Sequence, residues 1–363
     1  MEKQKLPALT IAATYIGTVV GAGFASGQEV LQFFSFFGLK SILALIFAGL
    51  LFVFFGRIVL DLGQRLQARS YVAIVNKAGG PYFGKVIDGT ITFFLFGALT
   101  AMAAGAGAIF GEQFGLPRIL GSALMVAAAL GTVLSGFHGV VISISFVAPV
   151  LLLSVLGLSV AALLTIPPDL KIIGLWAKEA NPAISPWPLS ALAYVSYNLI
   201  LSVCILAPLG ARAAGVGAIR KGAVLGGLGL FLGALAINLA ILTVPFEAAT
   251  FEIPMVYIAG RFSPLVQAGY GLVLLAEIYT TAVANLYGFT TRVADPDTIR
   301  FRQVAVLVAA VALAASLLGF SALVRYLYAA VGVAGFLLLG GLTYGYLREK
   351  DFGAILVPAR KRK

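Results

Sequence analysis

Ten runs of predominantly apolar residues follow one another along this chain, and each approaches the roughly 20 residues that a helix needs to cross the hydrocarbon of a bilayer. They lie at 8–36, 41–64, 86–111, 118–135, 139–165, 188–208, 220–245, 264–290, 302–319 and 322–347. With 61% of residues apolar, 11% charged and a mean hydropathy of +1.03, the chain falls far outside the range of soluble domains. The expected fold is an all-α polytopic membrane protein. The first run has no small-residue cleavage site before the next span, so it is expected to stay in the product rather than leave as a signal peptide.

Lysines and arginines orient the runs. If the N-terminus is cytoplasmic, the inside segments hold Lys3 and Lys5, then Arg57, Arg65, Arg69, Lys77 and Lys85, then Arg212, Arg220 and Lys221, then Arg292, Arg300 and Arg302, then the basic tail from Arg348 to Lys363. Only Lys40, Arg118, Lys171, Lys178, Arg261 and Arg325 are left outside. This asymmetry predicts ten spans in the inner (plasma) membrane with both termini cytoplasmic. It also accounts for the net charge of +11 without a nucleic-acid partner, because the basic residues sit between spans and not on one surface. The single Cys204 cannot form an intrachain disulfide and reads as a buried, inert thiol. With one histidine, His138, there is no ligand set for a zinc site. No nucleophile–base pair lies at a membrane face either, so an enzyme is not expected.

The first run is not mere filler for lipid. Residues 15–29, Tyr-Ile-Gly-Thr-Val-Val-Gly-Ala-Gly-Phe-Ala-Ser-Gly-Gln-Glu, combine glycines, hydroxyls and an acid. An interior glycine costs about 1 kcal/mol of helix propensity against alanine. Gly21 and Gly23 fall within three residues, so the helix is expected to break there. An opened turn at membrane depth is tolerated only where protein or a wet cavity meets its free backbone groups. Amides near Gly23 to Ala25 then favour an anion, and carbonyls near Gly17 to Val20 favour a cation. The competing reading is a small-residue packing face, since Gly17-x-x-x-Gly21 fits that pattern.

Residues 166–187 form a polar, proline-rich external connection. It separates a first set of five spans, 1–165, from a second, 188–347, with the basic tail 348–363 behind. Five is odd, so the second set enters the membrane in the opposite sense. That matches paired inverted repeats around a midplane site, each with a discontinuous first helix. The sixth span is therefore expected to break as well, at Tyr194-Val-Ser-Tyr-Asn198, where Ser196 and Asn198 compete for backbone hydrogen bonds, although no glycine is present. The eighth span carries Glu277, Thr280, Thr281 and Asn285, and an ionisable group at that depth is a functional candidate. Arg57 and Asp61, four apart on the second span, read as an intrahelical pair or as part of an inner closure. Residues 66–85 read as a cytoplasmic amphipathic link, and 246–260 as an external hairpin broken by proline.

These residues together resemble the amino acid–polyamine–organocation superfamily with its LeuT-type five-plus-five fold, and more closely the YkvI-type group of bacterial membrane proteins. The resemblance covers nearly the whole chain. It rests on the Val20-Gly-Ala-Gly-Phe24 break, the inverted repeat, the hairpin after the seventh span and the Thr280-Thr281 pair. It implies discontinuous helices 1 and 6, and a secondary transporter coupling sodium to uptake of a small zwitterion, such as an amino acid, by alternating access. The sodium site it implies comprises the carbonyls of Gly17, Val20 and Glu277 with the hydroxyls of Thr280 and Thr281, a set of oxygens suited to a hard cation. Threonines also bond back to their own helix, which is the plainer reading of that pair. Proton-coupled relatives place a lysine on the fifth helix, and 139–165 contains none.

By the same resemblance Ala22 and Gly23 present backbone amides to a solute carboxylate, with Gly21, Phe24, Tyr194, Ser196, Tyr197 and Asn198 completing the solute site. Glu29 and Arg325 are implied as an external gate, although with signs reversed from better-known members of the fold; Glu29 meeting a solute ammonium is the other possibility. Glu277 departs from the family, where a small uncharged residue is usual. The partners expected are a small solute and the bilayer. The sequence is also compatible with a homodimer. No cofactor beyond the coupling ion is expected. Two alternatives stand beside this reading: a proton-coupled carrier using Glu277 or Asp88, and a non-transporting membrane sensor.

Overall fold

The computed structural model describes residues 5–68, 70–135, 147–296 and 298–355; Arg69, His138 and the tail beyond Ile355 lie outside them. The described residues are helical almost throughout and contain no strand beyond an isolated bridge between Leu6 and Ala213.

The chain begins with a helix in three pieces, α1 (Ala8–Val19), α2 (Ala22–Ala25) and α3 (Gln28–Phe33). A second helix, α4 (Lys40–Arg65), leads to α5 (Tyr71–Phe114), whose link and spanning portions meet at Gly80, φ 82°. Then come α6 (Arg118–Leu134) and α7 (Val147–Thr165). The polar connection forms α8 (Leu170–Glu179), bent 117° from the helix before it. Asp169 caps α8, accepting from the Lys171 amide at 2.7 Å. The second half comprises α9 (Trp187–Ala211), α10 (Val216–Thr243), the short α11 (Pro245–Ala248) and α12 (Pro254–Gly260), α13 (Pro264–Val293), α14 (Ile299–Leu318) and α15 (Phe320–Leu347). Seven of these are long and apolar enough to cross a membrane, and the bent α7–α8 pair makes an eighth. With the shorter apolar α1 and α6, the set is compatible with ten crossings.

The break expected in the sixth span does not form. α9 is continuous from Trp187 to Ala211. Asn198 does turn to the backbone, donating from Nδ2 to the Tyr194 carbonyl at 2.9 Å, but that bond runs one turn back along an intact helix and does not open it. Without a glycine the helix has no local reason to yield.

α1, α4, α9 and α10 pack as one group, and α5, α6, α13 and α14 as another. At the crossing of α4 and α9 the backbones nearly touch. A Cβ on Gly63 would overlap the Ala207 carbonyl, and one on Gly210 would overlap that of Leu60. Small residues at such crossings let membrane helices gain packing that lipid cannot provide.

Candidate functional site

The site is built where α1 stops. Val20 donates to the Ile16 carbonyl at 2.8 Å and ends the helix, and Gly21 is extended at φ −139° and ψ −171°. α2 then starts at Ala22, its first internal bond running from the Ala25 amide to the Gly21 carbonyl at 3.0 Å. The last carbonyls of α1 and the first amides of α2 therefore lack helical partners and face each other's charge across the gap. A second bend follows at Gly27, φ 82°. Two things fix it: that φ suits glycine, and a Cβ there would stand 2.8 Å from Met255 on α12. The hairpin is stapled to this bend by the Met255 amide on the Ser26 carbonyl, 3.0 Å, and Tyr270 donates to the Ala25 carbonyl at 2.6 Å.

The second bend returns α3 toward the first. Glu29 comes to lie beside Gly23, with Oε1 in the space a side chain there would fill, and accepts a hydrogen bond from the Tyr197 hydroxyl. Rings of Phe33, Phe34, Phe94, Tyr194, Tyr197 and Tyr328 close in around that contact, Tyr197 lying 5.2 Å from Tyr328 and 5.4 Å from Tyr194 between centroids. Below them a cavity of about 280 Å³ opens at the break. Gly17 and Ile205, which also line it, are exposed.

All five residues expected to hold a cation line this cavity: Gly17, Val20, Glu277, Thr280 and Thr281. Thr280 donates to the Glu277 carbonyl at 3.0 Å, the back-bond its helix position invites. Its oxygen keeps a lone pair free. Of the residues expected around a solute, Gly21, Ala22, Gly23, Tyr197 and Asn198 line the cavity. Phe24, Tyr194 and Ser196 do not. Phe24 packs on Gly233, Tyr194 sits within the aromatic cluster, and Ser196 Oγ is buried against Gly335 without a hydrogen-bond partner.

The expected gate pair is not joined. Glu29 turns to Tyr197, and the Arg325 guanidinium lies over the Tyr326 ring at 5.7 Å. Arg325 falls in a π-helical turn, Leu323–Tyr328, and that turn also sets the direction in which Tyr328 points. Arg57 and Asp61 form the intrahelical pair at 3.8 Å, away from the cavity. Asp88 is likewise absent from the lining. It accepts from Arg292 at 2.5 Å and from Tyr71. Burial, reinforced by Asp88, pushes the Tyr71 phenol up to about 12, so it remains a donor.

The sequence offers Glu29 as a gate partner of Arg325 or as the contact for a solute ammonium, and Glu29 lies in the cavity wall. Sequence reasoning passed over Asn285 as a lining group, although positions 277, 281 and 285 share one helical face and the spacing alone pairs them. Phe94, Met102 and Tyr328 arrive from distant segments and left no local signal.

No protein-family model matches the chain. It is 29% identical over 342 residues to the uncharacterized membrane protein YkvI of Bacillus subtilis (strain 168), covering 94% of this chain and 97% of that one. Among solved structures it is similar to the inward-facing conformation of Mhp1, TM-score 0.66 at 16% identity over 95% of this chain and 76% of that one. It is also similar to MhsT in complex with L-phenylalanine, TM-score 0.57 at 18% identity over 97% and 93%. A Na+-coupled sialic acid symporter in a substrate-bound, outward-open state follows at 0.52 and 11% identity over 99% and 92%. The chain thus has the LeuT-type fold and is similar along nearly its whole length to the YkvI membrane protein.

Proposed function

We propose that the chain is a secondary transporter that couples sodium entry to uptake of a small, amine-bearing solute. In this reading the repeats 1–165 and 188–347 enclose one midplane site, and the helix group holding α1 and α9 rocks against the group holding α5 and α13. One observation carries the proposal: the cavity at the α1–α2 break brings together the Gly17 and Val20 backbone and the Glu277, Thr280 and Thr281 side of α13. Hard oxygens from two helix groups then line one cavity, so an ion bound between them favours the arrangement that keeps the groups together. That differential affinity is all that coupling requires. Sodium coupling in the sialic acid symporter of the same fold supports the choice of ion. The exposed Gly17 and Ile205 fall on the side expected to be cytoplasmic, in keeping with an inward-open arrangement.

A second reading, proton coupling through Glu277, is favoured by one feature: its Oε2 is buried with no hydrogen-bond partner. Asp88 is unsuited to that role because Arg292 and Tyr71 already hold it.

Proteoliposomes supplied with a mixture of radiolabelled amino acids and amines test the proposal, with sodium, potassium or choline outside. Sodium-dependent accumulation is expected, and Thr281→Ala abolishes it. Accumulation indifferent to sodium but driven by a pH gradient transfers the coupling to Glu277. Retention of nothing from the mixture rejects the carrier reading.

A further inference from the structure

The charge of the cavity is one-sided. Among the described residues its lining holds two carboxyl groups, Glu29 and Glu277, and no lysine, arginine or histidine. Both side chains belong to residues only 6% exposed. Glu29 has the Tyr197 hydroxyl as a donor, whereas Glu277 Oε2 has no partner. A carboxylate removed from water without a counter-charge is strongly disfavoured. Acceptors there include the carbonyls that end α1 and Asn198 Oδ1, the Asn198 Nδ2 being committed to the Tyr194 carbonyl, while the backbone donors are the first amides of α2, at the turn that Glu29 already stands against.

We infer that the solute is a small organic amine that binds as a cation and carries no carboxylate, its ammonium held at Glu29 beside Tyr197 and Asn198 while Glu277 faces the coupling ion. The inference rests on the transporter reading above and narrows its solute. Charge balance carries it first. One sodium ion and one ammonium neutralise two carboxylates, whereas a zwitterion brings a third carboxylate into about 280 Å³ with no side-chain cation to receive it. The position of Glu29 carries it second. Its carboxylate already stands against Gly23 in the first turn of α2, with Cδ 2.9 Å from where a Cβ would lie. That is the neighbourhood in which an amino acid's carboxylate was expected. The remaining wall, with the rings of Phe94, Tyr197 and Tyr328 and the Met102 thioether, offers π faces and hydrocarbon, which suit an ammonium on an apolar body.

Matched pairs that differ by one carboxylate provide the test: isobutylamine against valine, isopentylamine against leucine, and phenethylamine against phenylalanine. Each is titrated onto the purified full-length chain in sodium, with binding read by intrinsic fluorescence and thermal stabilisation. In at least one pair the amine is expected to bind about tenfold or more tighter than its amino acid. Glu29→Gln is expected to remove a similar factor from the amine, the worth of a hydrogen bond to a charged group, while binding of radioactive sodium is unchanged. An amino acid that binds as well as its amine overturns the inference, and so does an amine affinity that Glu29→Gln leaves intact. Sodium binding with no affinity for any amine also overturns it but leaves the transporter standing. Amine binding without sodium-driven transport does the reverse.

Discussion

Three glycines surround the break, and alanine at each probes a different part of it. At Gly23 a Cβ would lie 2.9 Å from Glu29 Cδ and 3.2 Å from Cγ, with Oε1 closer still. These atoms are the far end of a flexible side chain, so the backbone holds and the carboxylate swings away, losing the Tyr197 hydroxyl. A hydrogen bond to a charged group is worth about 1.5–3 kcal/mol, and alanine in the first turn of α2 returns about 1 kcal/mol of helix propensity. The net is a loss of about 0.5–2 kcal/mol, together with loss of the carboxylate from the cavity. At Gly17 nothing lies within 4 Å of a Cβ, and at Gly21 only Thr281 Oγ1 does, at 3.9 Å. Gly21 is also extended, which any residue can adopt. Thermal unfolding of the purified variants should therefore place Gly17→Ala and Gly21→Ala near the parent and Gly23→Ala below both, and sodium-driven uptake should fall most in Gly23→Ala. A Gly23→Ala protein as stable and active as the parent refutes the placement of Glu29. So does a Gly17→Ala protein damaged as severely.

Two further outcomes concern the frame around the site. Gly63→Ala puts a methyl against the Ala207 carbonyl at the α4–α9 crossing, and since backbone cannot yield as a side chain does, it should cost about 1–3 kcal/mol in thermal unfolding. Glu252 pairs with Arg118, accepts from the Phe320 amide at 2.6 Å, and donates its own amide to Glu112 at 2.8 Å. Arg118→Gln should lower stability by less than about 1 kcal/mol, as for exposed ion pairs, while Glu252→Ala, which also strands the Phe320 amide, should lower it by about 1–3 kcal/mol.

What the sequence disclosed was local. Hydropathy gave the helices, and the cluster from Gly17 to Gly23 gave the break, because glycine weakens a helix wherever it stands. The face shared by Glu277, Thr281 and Asn285 follows from helical period. What it did not disclose depends on distant partners. At the Gly27 bend Met255 leaves no room for a Cβ, Glu29 turns to Tyr197 and not to Arg325, and Asp88 is taken by Arg292. The expected break in α9 was an inference from repeat symmetry, and symmetry of topology does not oblige the second repeat to copy a backbone feature for which it lacks the glycine.

That asymmetry bears directly on recognition. With two broken helices, a site can draw free amides and carbonyls from both sides and meet either charge on a ligand with backbone alone. Here α1 and α2 offer such groups, whereas α9 is continuous and its amides and carbonyls at this depth are spent within the helix. It contributes Tyr197 and Asn198 as side chains only. The recognition missing from one side must then come from charged side chains, and those present are both acids, one returned over Gly23 by the second bend and one borne on α13. In the proposed transporter a continuous α9 and two buried carboxyls therefore act in the same direction, leaving fewer backbone dipoles for an anion and more acid groups for a cation.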